Sequence, residues 1–185
     1  MILQRRVLLL APLGIAAVGG AAFWAMLDRM EQGRFDPRGV PSMLVGKPLP
    51  PFNLPGQPPS AGFSDGDIRA VGRRPVLINF FASWCVPCVI EAPQLAALQQ
   101  RGVQIWGIAY KDKVNDTAQF LARNGDPYVH TARDEPGRVA IDFGVYGVPE
   151  TYLVDKVGTV RWRCAGPLTD DNIRQELDPL LARYG

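Results

Sequence analysis

Two cysteines with two residues between them, Cys85-Val86-Pro87-Cys88, are the strongest chemical feature of this 185-residue chain. Thiols at that spacing can close a disulfide and reopen it, and so pass two electrons to or from another dithiol. The chemistry needs one sulfur held as thiolate and a second within reach. Local sequence supplies both. Residues 76–81 form an apolar run broken only by Asn79, which suits a strand buried on both faces. Helix-like spacing then runs over residues 86–100. The pair falls at the junction, where the unpaired N–H groups and dipole of a helix start favour negative charge on Cys85. Pro87 fits a first helical turn. This spacing predicts an exposed Cys85 at the tip that attacks, and a Cys88 one turn inside that resolves the mixed disulfide.

Other uses of the pair fit less well. A zinc site takes four ligands, and the chain offers three cysteines and one histidine, His130, so no metal site is expected. Covalent haem attachment needs a histidine after Cys88, where Val89 stands. A structural disulfide with a two-residue loop would constrain the unfolded chain little. Cys164 stands far from the pair and reads as a buried small hydrophobe, with an oxidisable thiol as the rival reading.

The elements that must position the pair follow in order. Residues 103–109 read as a second buried strand and 116–124 as a helix stopped by Gly125. Residues 137–143 form a short helical piece. Residues 151–154 and 159–164 flank a four-residue hairpin loop. Thr169 caps a last helix with Ile173, Leu177, Leu180 and Leu181 on one face. A parallel crossover half followed by an antiparallel half predicts an α/β fold, a mixed central sheet flanked by helices. Residues 44–59 hold six prolines and cannot be helical, while Phe52 and Leu54 alternate as in a short edge strand.

Residues 7–27 carry no charge, and as a helix would span roughly 31 Å, close to a bilayer's hydrocarbon core. Trp24 suits the membrane interface, and Pro12 lies in the first turns. We read residues 1–6 as a cytoplasmic N-terminus, 7–27 as a single transmembrane anchor, 28–43 as a tether and 44–185 as the exported domain. A cleaved secretory signal ending near Gly20-Ala21-Ala22 is the competing reading, and it too exports the domain. The net charge of +2 resides wholly in residues 1–38, and from residue 39 fifteen basic residues balance fifteen acidic ones. No basic stripe remains to bind nucleic acid.

Phe80-Phe81-Ala82-Ser83-Trp84-Cys85, Pro87-Cys88, the helix proline Pro93 and the loop Gly147-Val148-Pro149-Glu150-Thr151 resemble the thioredoxin superfamily. Gly46-Lys47-Pro48-Leu49-Pro50, Tyr110-Lys111-Asp112 and the whole run from Gly137 to Thr151 are similar to the CcmG/DsbE family. That resemblance covers nearly the whole chain. It implies a thioredoxin-like fold, a redox-active Cys85–Cys88 disulfide, a cis bond before Pro149 facing it, and no cofactor. It also implies a bacterial inner-membrane protein with its catalytic domain in the periplasm. Its implied partners are a membrane electron-donor thiol carrier and apocytochrome c, whose haem-attachment cysteines it reduces directly or through a maturation partner.

General thioredoxins hold an aspartate six residues before the first cysteine, where this chain has Asn79. Glu91, one turn beyond Cys88, is then a substitute proton acceptor, and Glu150 beside Pro149 adds negative charge that opposes thiolate formation. The competing reading makes both solvated surface acids. Trp84, Val148 and Tyr146 are candidates to dock a partner chain, and the two aromatic residues could equally belong to the core. The family more often places histidine where Cys164 stands. A general disulfide oxidant, a reductase for another exported client, a redox-inactive peptide-binding module and a peroxidase are rival functions on the same fold. Cysteines of peroxidases do not usually form Cys-x-x-Cys after tryptophan.

Overall fold

The computed structural model describes residues 2–31, 42–72 and 74–185. The chain divides into two units, Met1–Val40 and Pro41–Gly185. In the first, helix α1 (Ile2–Glu31) carries the uncharged run and passes through Pro12. Ile15, Val18, Phe23 and Trp24 are exposed on it. Among the described residues, no helix is long and apolar enough to cross a membrane. The expected tether begins on α1, and its residues 32–41 lie outside the described residues.

In the second unit, β1 (Asn53–Pro55) and β2 (Gly62–Ser64) form a small antiparallel ribbon that precedes α2 (Asp65–Val71). Then come β3 (Val76–Phe81), α3 (Val86–Gln100), β4 (Gln104–Tyr110), α4 (Val114–Asn124), β5 (His130–Asp134), α5 (Arg138–Phe143), β6 (Glu150–Val154) and β7 (Val160–Ala165). The last helix runs as α6 (Asp170–Asn172), a π-helical stretch (Ile173–Leu177) and α7 (Asp178–Tyr184). It widens just before Pro179, which has no N–H to donate. The main sheet has the order β5-β4-β3-β6-β7, with β3, β4 and β5 parallel and β6 and β7 antiparallel to their neighbours. This is the mixed sheet that the hydrophobic pattern predicts.

β3 is central, and all six of its residues are buried, because helices cover both faces. One face packs Ile78 and Phe80 with Trp106, Tyr152, Ile68 of α2 and Phe143 of α5. The opposite face packs Leu77 and Phe81 with Leu95 and Leu98 of α3, Phe120 of α4 and Leu177 of the last helix. α5 is stopped by Gly144, whose φ of +70° favours glycine.

Two elements carry no apolar signal. β5 reads His130-Thr131-Ala132-Arg133-Asp134, and its buried positions are Thr131, Ala132 and Asp134. Asp134 is buried because its carboxylate accepts the N–H groups of Arg138 (3.0 Å) and Ala140 (2.8 Å) at the start of α5. α2 buries only Ile68 and is held by a capping box between Ser64 and Asp67. Phe52 and Leu54 do bury against the core, but β1 pairs with β2 rather than joining the main sheet.

Phe143 meets the rings of Phe52, Phe80 and Tyr152 edge-on, at centroid distances of 5.9, 5.1 and 5.3 Å. Phe143→Ala is expected to cost about 3–5 kcal/mol of unfolding free energy. Urea unfolding checks this, with an unchanged m-value showing that the fold itself is kept.

Candidate active site

Cys85 is the N-cap of α3, with extended backbone, and is joined to Cys88 as a disulfide with a Cα–Cα separation of 5.3 Å. Its Sγ accepts the backbone N–H of Cys88 at 3.1 Å. The first-turn position of Pro87 leaves this arrangement intact. The junction of strand and helix is therefore as expected, but the exposure is not. Cys85 and Cys88 are each 3% exposed. They pack with Phe81, Ala82, Ala109 and Phe120, and the partly buried Val148 and Tyr128 close over the cluster. In the disulfide state Cys85 is bonded to Cys88 within this buried cluster and does not stand free at the tip.

The loop bearing Val148 connects α5 to β6. The Val148–Pro149 peptide is cis and Pro149 is buried. The aromatic candidates are not core residues: Trp84 is 58% and Tyr146 72% exposed. Val86, Val89 and Ile90 on the first turns of α3 are exposed as well. Apolar surface of this kind around a reactive group suits contact with another polypeptide.

Neither carboxylate is a solvated surface acid. Glu91 is fully buried, and its Oε1 accepts from Asn79 Nδ2 (3.0 Å) while its Oε2 accepts the Leu168 N–H (3.0 Å). Asn79 also donates to Thr151 Oγ1 (3.0 Å) and accepts from the Tyr128 hydroxyl (2.7 Å). Burial pushes the Glu91 carboxyl up from 4.5 to about 7, against the two donors that favour its charge. Tyr128 reaches this network because its ring lies against Gly107, where a Cβ would come within 2.8 Å of it. A glycine inside a strand pattern was the one sequence signal for Tyr128, which has no local motif.

Glu150 is buried on the opposite sheet face. It accepts from the Tyr152 hydroxyl, from Arg163 Nε and from the Tyr146 N–H (3.3 Å). The Arg163 guanidinium also lies 5.0 Å from the Tyr146 ring centroid. The charge expected from Glu150 is thus matched by a buried cation that sequence reasoning missed. Cys164 is half-buried and its Sγ accepts from Asn172 Nδ2 at 3.3 Å. Burial, then the charges of Glu91, Glu176 and Glu150, push its thiol up to about 12 and keep it a poor nucleophile.

A mixed sheet with a disulfide at the N-terminus of its first crossover helix and a cis-proline loop against it defines a thioredoxin-like thiol:disulfide oxidoreductase. Residues 45–163 match the AhpC/TSA family. The chain is 40% identical over 168 residues to thiol:disulfide interchange protein HelX of Rhodobacter capsulatus, covering 91% of each chain. It is 37% identical to thiol:disulfide interchange protein DsbE of Pseudomonas aeruginosa, covering 96% of this chain and 94% of that one. The solved thio-disulfide isomerase of Thermus thermophilus superposes with a TM-score of 0.60 at 29% identity, over 76% of this chain and 96% of the other. The chain belongs to the CcmG/DsbE family of thiol:disulfide interchange proteins, within the AhpC/TSA family.

The raised Glu91 carboxyl sets a direction for stability. Between the unfolded value of 4.5 and the folded value of about 7, the native state holds a proton that the unfolded state has lost. Its contribution is therefore present at low pH and is lost as pH rises through that window. Wild type should lose about 3 kcal/mol relative to Glu91→Gln between pH 4 and pH 8. Urea unfolding of both proteins across that range measures the difference, and a flat difference would mean that Glu91 titrates normally.

Proposed function

We propose that this chain is a membrane-tethered reductant of the periplasm that serves cytochrome c maturation. One observation carries the reading: Cys85 caps α3 with its sulfur on the Cys88 N–H, flanked along the chain by exposed Trp84, Val86 and Ile90, with Val148 of the cis-proline loop packed on its cluster. Such an apolar flank suits a polypeptide disulfide rather than a small oxidant. The relatives named thiol:disulfide interchange protein DsbE and HelX support the same reaction.

In the reduced protein the Cys85 thiolate attacks one sulfur of the client disulfide. That S–S bond breaks, a Cys85–client disulfide forms, and the client's other sulfur leaves as thiolate. The Cys88 thiol gives its proton to Glu91, which at about 7 is balanced to accept it. Cys88 then attacks Cys85 Sγ and the second client thiolate departs. Two electrons pass to the client, its thiolates take up two protons, and Cys85–Cys88 is left as the disulfide for a membrane thiol carrier to reduce again. Pro149 and Val148 border the sulfur pair, and Glu150 holds their loop. Trp84 and Tyr146 contact the client. The client is the oxidised Cys-x-x-Cys-His segment of apocytochrome c or a maturation partner.

The uncharged residues 7–27 on α1 support a single inner-membrane anchor, with residues 1–6 in the cytoplasm, 28–43 as tether and 44–185 in the periplasm.

The reduction potential of Cys85–Cys88, measured in the full chain against glutathione and dithiothreitol buffers, should lie toward the thioredoxin value of about −270 mV. A value toward about −120 mV would make the protein a disulfide donor. Cys88→Ser should accumulate a mixed disulfide with an oxidised Cys-x-x-Cys-His peptide, visible on a non-reducing gel. Cys85→Ser should trap none, and equal trapping by both variants would remove Cys85 from the attacking role.

A further inference from the structure

Tyr110-Lys111-Asp112 stands out in the sequence, and the exchange reaction as described makes no use of it. These residues end β4 and form the turn into α4. Asp112 is buried at this turn, and its carboxylate reaches across to the β3–α3 junction. Oδ2 accepts the Ser83 N–H (2.6 Å) and Oδ1 accepts the Ser83 hydroxyl (2.8 Å) and the Lys113 N–H (2.9 Å). Lys111 has φ +46°, a left-handed conformation that L side chains disfavour. It is held there at both backbone ends: its N–H donates to the Asp134 carbonyl (3.0 Å), and its carbonyl accepts the Trp84 indole N–H (3.4 Å). The Tyr110 ring lies 6.4 Å from the Trp84 ring, centroid to centroid.

We infer that Asp112 is a positioning residue for client docking: it straps Ser83, and the turn it anchors fixes the exposed indole of Trp84 beside Cys85. An aromatic side chain more than half exposed has few packing contacts to set its direction. Here the direction comes from one indole hydrogen bond and from the backbone of the residue before it, and both lead to this turn. Carboxylate hydrogen bonds to backbone and hydroxyl donors are stronger than neutral ones, so the strap is stiff. The sulfur chemistry, by contrast, is set inside α3 by the Cys88 N–H, which the strap does not touch. The inference rests on the proposed exchange with a polypeptide.

The test uses the full, pre-reduced chain in single turnover against an oxidised Cys-x-x-Cys-His peptide, with glutathione disulfide as a probe too small to need docking. Asp112→Asn and the milder Ser83→Ala should raise the half-saturating peptide concentration about fivefold, leaving the limiting rate and the glutathione rate unchanged. Ser83→Thr, which keeps the hydroxyl, should restore wild-type behaviour. Asp155→Asn is the control for a purely structural role. Asp155 is a buried aspartate that accepts the N–H groups of Val157 and Thr159 at the β6–β7 turn. Its loss should lower stability without moving the peptide constant. An unchanged peptide constant in both strap variants overturns the inference. So does a shifted glutathione rate, which would mean that Asp112 acts on the thiolate, and so does an equal effect of Asp155→Asn. A wild type that reduces glutathione disulfide but not the peptide overturns the proposed client as well.

Discussion

The hydrogen bond from the Cys88 N–H to Cys85 Sγ is the constraint around which the domain is arranged. It belongs to the first turn of α3, where backbone donors lack i−4 carbonyl partners, and the same N–H is shared with the Cys85 carbonyl (3.2 Å). To fix that point in space, β3 must be immobile, and it is: it is the central strand and is covered on both faces. The antiparallel neighbour β6 then starts at Glu150, paired with Phe80, so the loop ending in Pro149 arrives beside the cysteines by register alone. Sheet order thus brings together groups some sixty residues apart in sequence without any dedicated contact between them.

The same sheet separates two buried carboxylates and treats them oppositely. Glu150 receives a buried guanidinium, a phenol and a backbone N–H. Among the described residues Glu91 receives an amide and one backbone N–H and no cation, and desolvation wins. A carboxyl poised near neutrality is useless for holding a loop, since it would let go as it protonated. The sheet thus keeps an ion-paired carboxylate on one face and a desolvated one on the other.

The fold was legible where burial leaves an apolar trace. β3, α3, β4 and the β6–β7 hairpin are written in runs of Val, Ile, Leu and Phe. β5 was not, because it buries Thr131 and Asp134 and satisfies the aspartate with the N-terminus of α5, a contact between residues that no periodicity links. In the site, the sulfur pair, Pro149 and Glu91 were legible from spacing along one helix or from motif. Arg163 and Tyr128 were not, since each reaches its partner across strands, from 13 and 49 residues away. The predicted exposure of Cys85 failed for a related reason. Position at a helix tip is local, whereas the cover supplied by Val148 comes from a distant loop.

That cover bears on how exchange proceeds. Cys85 is only 3% exposed and its packing partners are buried, yet its chain neighbours Trp84 and Val86 are apolar and open to solvent. A client that packs on Trp84 and Val86 gains buried area before any sulfur is reached. Val148 is only partly buried and sits at the end of a loop that Glu150 ties at Tyr146, two residues away, rather than at Val148 itself. The loop is therefore tied on both sides of Val148, at Tyr146 by Glu150 and at the buried Pro149, whose carbonyl accepts the Gly166 N–H (2.9 Å). A loop held on both sides keeps Val148 packed against the sulfur cluster, with the end of β3 and the start of α3 behind it.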